Sequence, residues 1–150
     1  MSGNLNVDVS LAGARSPLSR AAVAEIARAT LRRERVSDAL LSIALVDRRT
    51  IARLNRRHLG HAGATDVISF AFERATPRDP VVGDIYIAPD VARANARARG
   101  VAARNELTRL VVHGVLHVLG YDHPDNGERE HSPMWRRQER LVRDFERHAG

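Results

Sequence analysis

His113-Gly114-Val115-Leu116-His117-Val118-Leu119-Gly120-Tyr121-Asp122-His123 reads as the end of an apolar helix followed by a sharp turn. The run leading into it, from about Asn105 to Leu119, predicts a helix, and Gly120 stands where a left-handed helix stop is wanted. His113 and His117 are four positions apart, so their imidazoles project from one face, one turn apart. Two neutral imidazoles so placed can reach one ion at roughly 2.0–2.1 Å, and the turn at Gly120 can swing His123 round as a third ligand. Three protein ligands leave a fourth tetrahedral position for water, the arrangement of a catalytic rather than a structural zinc. Histidine pairs at this spacing also occur on helices that bind nothing. Here the apolar surroundings and the third histidine favour an ion, because an imidazole on an apolar face needs something to satisfy it.

Outward from this segment the pattern alternates between strands and helices. Leu5, Val7, Val9 and Leu11 alternate with Asn6, Asp8 and Ser10, a strand with one solvated face. Ser16-Pro17 supplies a cap and a first-turn proline for a helix carrying Leu18, Ala22, Ile26 and Ala29 toward Arg33. Leu40 to Val46 is nearly all apolar, which predicts a strand covered on both faces. Arg48 to His58 resumes helical spacing, broken at Gly60-His61-Ala62-Gly63. Thr65 to Phe72 and Gly83 to Ile87 are further strands, and Pro89-Asp90 opens a helix closed by Gly100. Ser132-Pro133 starts the last helix, striped with Met134, Gln138, Leu141 and Phe145. The expected architecture is α/β (α+β): one small mixed sheet of about four strands packed with about five helices, in a single domain over residues 1–150.

Composition bounds the chemistry. The 150 residues suit one core. The 24 cations against 18 acidic residues give a net charge of +6, and every cation is arginine. Guanidinium groups match phosphate, so the balance points toward nucleic acid; it equally describes a solvated basic surface without a specific partner. Zero cysteines exclude disulfides, thiolate metal sites and cysteine nucleophiles, so any metal must be held by histidine and carboxylate. No basic start followed by an apolar run opens the chain, and no apolar stretch is long enough to span a membrane, which leads to the expectation of a soluble cytoplasmic protein.

The spacing H-x-x-x-H-x-x-G-x-x-H coincides with that of metzincin proteases, whose helix carries a glutamate general base directly after the first histidine. Gly114 stands there instead, so a peptidase loses its proton acceptor while the metal site survives. The whole segment His113 to His123 closely resembles the signature of the YbeY family of bacterial rRNA maturation factors, metal-dependent endoribonucleases specific for single strands. Leu54-Asn55 with Thr65-Asp66-Val67-Ile68-Ser69-Phe70, and Gly83-Asp84-Ile85, resemble two further segments of that family in matching order. The resemblance implies a zinc-hydrolase-like fold, one Zn(2+) ion on His113, His117 and His123, and a role in ribosomal RNA processing and ribosome quality control. It further implies single-stranded RNA, ribosomal RNA, the small ribosomal subunit and ribosome-assembly proteins as partners. Leu59 stands where many members carry an arginine, and Ala62 where an acidic residue is usual. Either that arginine is dispensable here, or Arg56 or Arg57 supplies substrate binding from a neighbouring position; the catalytic residues beyond the metal are not assigned.

Arg48, Arg49, Arg53, Arg56 and Arg57 fall within ten residues that contain no acid; any one of them alone suits a solvated helix surface, but as a group, beside a metal site in a chain of net charge +6, they favour an RNA-facing role. Aromatic residues are few, so stacking is not expected to dominate binding; Phe70, Phe72 and Trp135 are read as core. Asp66, Asp84 and Asp122 are candidates for proton handling or ligand support, and Asp122 equally for capping a turn. His58 and His61 are placed to approach the site, and His131 and His148 on the surface. The rival readings are a zinc peptidase, disfavoured by Gly114, and a non-enzymatic ribosome-assembly factor with structural zinc.

Overall fold

The computed structural model describes residues 3–60, 63–123 and 131–149. Its elements run β1 (Leu5–Ala12), α1 (Arg20–Arg33), β2 (Ala39–Val46), α2 (Arg48–Leu54), a π-helical turn (Asn55–Leu59), β3 (Val67–Phe72), β4 (Val81–Ile87), α3 (Pro89–Arg99), α4 (Ala103–Val118) and α5 (Pro133–Ala149). The four strands form one mixed sheet in the order β1-β2-β4-β3. β1, β2 and β4 are parallel, and β3 closes the edge antiparallel to β4. This is the α/β architecture the patterning predicts.

One sheet face is covered by α1 and α4. Val7, Leu41, Ile43, Leu45, Ile85 and Ile87 pack there with Leu31, Leu107, Val111 and Val115 in the main core. Removing these side chains from water is the principal driving force for the fold. Twelve of the sixteen residues of α4 are buried, so it is the central helix of the domain's interior. α5 seals the far side of α4 through Val112, Leu116, Met134, Leu141 and Val142.

The opposite face is covered only in part, and here several expectations fail. α2 is seven residues long, and Ile51 packs with Val46, Ile68 and Ala88 at one end of the sheet only. The other end stays open. Register places Leu40, Val82 and Phe72 in one cross-strand row, and there Leu40 is 51% and Phe72 54% exposed. β2 is therefore covered on both faces only at its end, and Phe72 is not core. Leu11 is also exposed, at the end of an edge strand with a neighbour on one side only. α1 begins later than expected: Ser19, not Ser16, caps it by accepting from the Ala22 amide, while Ser16 holds a local turn with Leu18. Its buried stripe accordingly shifts to Val23, Ala27, Thr30 and Leu31. The helix expected over Arg48 to His58 is α-helical only to Leu54, then widens into the π turn and ends on Gly60 at φ +71°.

Two glycines set how closely α4 lies on the sheet. A Cβ on Gly83 would stand 2.6 Å from Val118 Cγ1 and 2.9 Å from the Phe70 carbonyl oxygen. A Cβ on Gly114 would stand 2.7 Å from Ile85 Cγ2. Gly83→Ala should therefore overpack this layer and lower stability by about 1–3 kcal/mol, read as a reduced urea midpoint with an unchanged m-value.

Candidate metal centre

The histidine site begins with the end of α4. The Gly120 amide donates to the His117 carbonyl and the Tyr121 amide to the Leu116 carbonyl, the paired bonds of a Schellman stop, with Gly120 at φ +102°. The chain then doubles back and brings His123 beside the two helical histidines. Ring centroids lie 4.6 Å apart for His113 and His117, 5.0 Å for His117 and His123, and 5.4 Å for His113 and His123. One nitrogen from each ring falls within 4.8 Å of the others, a spacing that could hold a metal ion.

Each helical imidazole is oriented from behind. His117 Nδ1 is 3.0 Å from the Tyr121 carbonyl oxygen, which can only accept, so Nδ1 is the donor and Nε2 is the nitrogen presented for coordination. His113, which is buried, has its Nδ1 2.6 Å from Gln138 Oε1. The Tyr121 hydroxyl donates to Glu34 at 2.6 Å, and Arg137 donates to the other oxygen of the same carboxylate, which anchors the turn to both α1 and α5. The hydrogen bond to Glu34, with burial behind it, holds the Tyr121 hydroxyl above its ordinary range.

The histidines open onto a cleft of about 390 Å³. Its other walls are Asn55 and Leu59 from the π turn and Thr65 to Ser69 along the start of β3. Asn55 is buried and donates to the Gly63 carbonyl, tying the turn to the loop after it. Leu59, 48% exposed, stands on the cleft wall, whereas Arg56 and Arg57 are exposed on the same turn and do not line the cleft. Asp66 lies on the wall, held by Asn95 Nδ2 at 3.1 Å, and also lines a smaller adjoining cavity with His113, Arg99, Trp135 and Gln138. Asp84 faces the partly open side of the sheet, between Ser42 and Phe70 in register, away from the histidines. Asp122 accepts from the His123 amide at 2.9 Å, the turn-capping alternative.

Other residues move from their expected places. His58 packs edge-on against Phe70 at 5.3 Å rather than entering the cleft, and His61 with Ala62 lies outside the described residues. His131 is exposed, as expected, and the side chain of His148 lies outside the described residues. Trp135 is half-buried, not core, with the Arg99 guanidinium 5.2 Å over its ring. Three contributors are not singled out as site residues by the sequence: Asn55, which enters only within a family-like segment, Gln138, which enters only in the α5 stripe, and the pairing of buried Arg109 with half-buried Glu139. Gln138 lies on the apolar stripe of α5, and a polar residue at a core position is the one signal that marks it.

Gly114 explains the departure from the protease pattern. Its Cα faces Ile85, and its carbonyl accepts from Ser69 Oγ at 3.2 Å, so a side chain there would enter the sheet rather than the cleft. A glutamate base has no room at that position.

Fold and site together define a small α/β protein with a three-imidazole centre in an open cleft. Residues 13–146 match the family model described as Endoribonuclease YbeY. The chain is 38% identical over 134 residues to Endoribonuclease YbeY of Nocardioides sp., covering 84% of this chain and 89% of that one. It is 41% identical over 119 residues to that of Acidothermus cellulolyticus, covering 71% and 73%. It is 37% identical to that of Frankia alni, of whose length it spans 63%. The fold is similar to the solution structure of a Thermotoga maritima protein, with a TM-score of 0.58 and 25% identity over 91% of this chain and 87% of that one. The chain belongs to the endoribonuclease YbeY family, enzymes that hydrolyse RNA. Among the described residues no helix is long and apolar enough to cross a membrane.

Behind the site, Arg109 forms a fork onto Glu139, Nε to Oε2 at 2.7 Å and a terminal nitrogen to Oε1 at 3.0 Å, and also reaches Glu106 at 2.9 Å. Burial opposes the charge on Glu139, but hydrogen bonds from Arg109 and Gln138 outweigh it and hold the carboxyl below its ordinary value. A depressed carboxyl contributes stability that is complete above its unfolded value of 4.5 and lost as pH falls through the lower folded value. Arg109→Met strips the half-buried Glu139 of its fork and leaves the buried Glu106 with Arg99 alone, at 3.7 Å, and should cost about 3–5 kcal/mol at neutral pH. Urea titrations should show the gap to wild type narrowing on acidification, as the Glu139 carboxyl takes up a proton.

Proposed function

We propose that this chain is a zinc-dependent endoribonuclease specific for single-stranded RNA, acting in ribosomal RNA maturation and ribosome quality control, with residues 1–150 working as one domain. The observation that supports it most is the convergence of three imidazole nitrogens within 4.8 Å in an open cleft, in a chain of an endoribonuclease family. His113, His117 and His123 are the ligands in this reading. Histidine donors without thiolate suit zinc among the divalent metals. A zinc ion held by His113, His117 and His123 would supply Lewis-acid chemistry, acidifying water and polarising a phosphoryl oxygen.

The chain's own residues do the rest. The Tyr121 carbonyl and Gln138 keep two imidazoles turned toward the cleft. Asp66 supplies a carboxylate on the cleft wall, fixed by Asn95, for holding a proton beside the reacting phosphate. Arg56 and Arg57, exposed on the π turn that also carries Leu59, hold the phosphate backbone as it passes the cleft. Ribosomal RNA as substrate brings the small ribosomal subunit and its assembly proteins as partners and the cytoplasm as the setting.

Purified wild type should cut a single-stranded RNA oligonucleotide, lose that activity to a chelator and regain it with zinc, while His113→Ala stays at background throughout. Equal cleavage by both proteins would mark a contaminating nuclease and end the proposal. For the arginines, binding of an uncleavable single strand to the Arg56→Ala/Arg57→Ala double variant should show a log K against log salt slope shallower by about 1.4, at roughly 0.7 per phosphate contact.

A further inference from the structure

Gln138 sits on α5, 25 residues beyond His113 in sequence, yet is 1% exposed and meets the imidazole at 2.6 Å. The sense of its amide follows from its other neighbour. Glu139 Oε2 lies 3.0 Å from Gln138 Nε2, and an ionised carboxylate only accepts, so the amide nitrogen must face Glu139 and the amide oxygen must face His113. Glu139 is in turn kept ionised and immobile by the Arg109 fork. The direction of every bond is then set: Arg109 donates to Glu139, Gln138 donates to Glu139, and His113 Nδ1 donates to Gln138.

We propose that Gln138 is a positioning residue for the metal centre: its amide oxygen holds His113 in the tautomer with the proton on Nδ1 and the Nε2 lone pair in the cleft, and the Arg109–Glu139 pair locks that amide against rotation. The proposal rests on the reading of the three histidines as metal ligands. It gives α5 a part in the site, although α5 supplies no ligand. The neutral imidazole is pre-set for coordination, so binding does not have to select the correct tautomer and ring orientation from a mixture.

The test uses the full chain, first metal-free, at a pH where imidazoles are neutral. In wild type, ¹H–¹⁵N correlation spectra should show the His113 proton on Nδ1. Gln138→Leu removes the acceptor: the His113 signal should shift toward the other tautomer or a mixture, while His117, held by the Tyr121 carbonyl, stays unchanged. Zinc affinity, measured by competition with a chromophoric chelator, should fall about 10- to 100-fold. Gln138→Glu keeps an acceptor for His113 and, because two carboxylates 3.0 Å apart cannot both ionise, holds a proton that it donates to Glu139; it should keep the Nδ1 proton and recover most of that loss, and it carries the test should the leucine variant fail to fold. A leucine variant with the wild-type tautomer and wild-type zinc affinity would overturn the proposal, as would a glutamate variant that binds no better than leucine. Wild type that takes up no zinc, but shows the Nδ1 proton, would instead overturn the metal reading.

Discussion

Everything at the site depends on how closely α4 lies on the sheet. Gly83 on β4 and Gly114 on α4 each remove a Cβ that would overlap the opposite layer. Through those two gaps Val118 packs over Gly83 and Ile85 packs against Gly114, and Ser69 on β3 reaches the Gly114 carbonyl. Because His113 directly precedes Gly114 and His117 follows one turn later, the position of α4 is also the position of two imidazoles relative to the strand that walls the cleft. A larger residue at either glycine would lift the helix and move the histidines from β3. Packing and site geometry are thus one constraint, consistent with the low tolerance of close-packed interiors for added volume.

The third histidine is held differently. It sits beyond the helix stop, and its approach depends on the backbone turn at Gly120 and on Tyr121, whose carbonyl orients His117 while its hydroxyl reaches Glu34. The turn is therefore tied to α1, and through Arg137 to α5 as well. With Gln138 behind His113, the elements packed on α4 reach the site without lending it a ligand. Such outer contacts govern how ready a set of donors is before any ion arrives.

Much of this was legible in the sequence, for identifiable reasons. Helical spacing of histidines on an apolar run, with glycine at the stop, is a local pattern, and local geometry alone carries it into the structure. The strands were legible because alternation and β-branched runs report burial directly. What the sequence hid was coverage. Nothing in Leu40 or Phe72 says that α2 is too short to reach them, since coverage is decided by how elements far apart in the chain dock. The π turn was hidden for a related reason: Arg48 to His58 has ordinary helical spacing, and the extra residue per turn shows only in the placement of Asn55 and Leu59 on the cleft. Gln138 and Arg109 were invisible as site residues because their partners lie 25 and 30 positions away.

Gly114 also separates this centre from the peptidases whose histidine spacing it shares. In those enzymes the helix that carries the ligands carries the base too, so metal and proton acceptor come from one element. Here the same position is spent on contact with Ile85, and no side chain can be restored without displacing the helix from the sheet. Any carboxylate serving this cleft must therefore come from outside α4. Asp66 meets that requirement: it stands just before β3 on the cleft wall, one oxygen is fixed by Asn95, and its backbone carbonyl accepts from the Ala88 amide. With glycine in place of glutamate, the carboxylate on this cleft's wall stands beside β3 and not on the helix. No carboxylate from α4 lines the cleft, which favours an anionic backbone over a peptide that would need a base on that side.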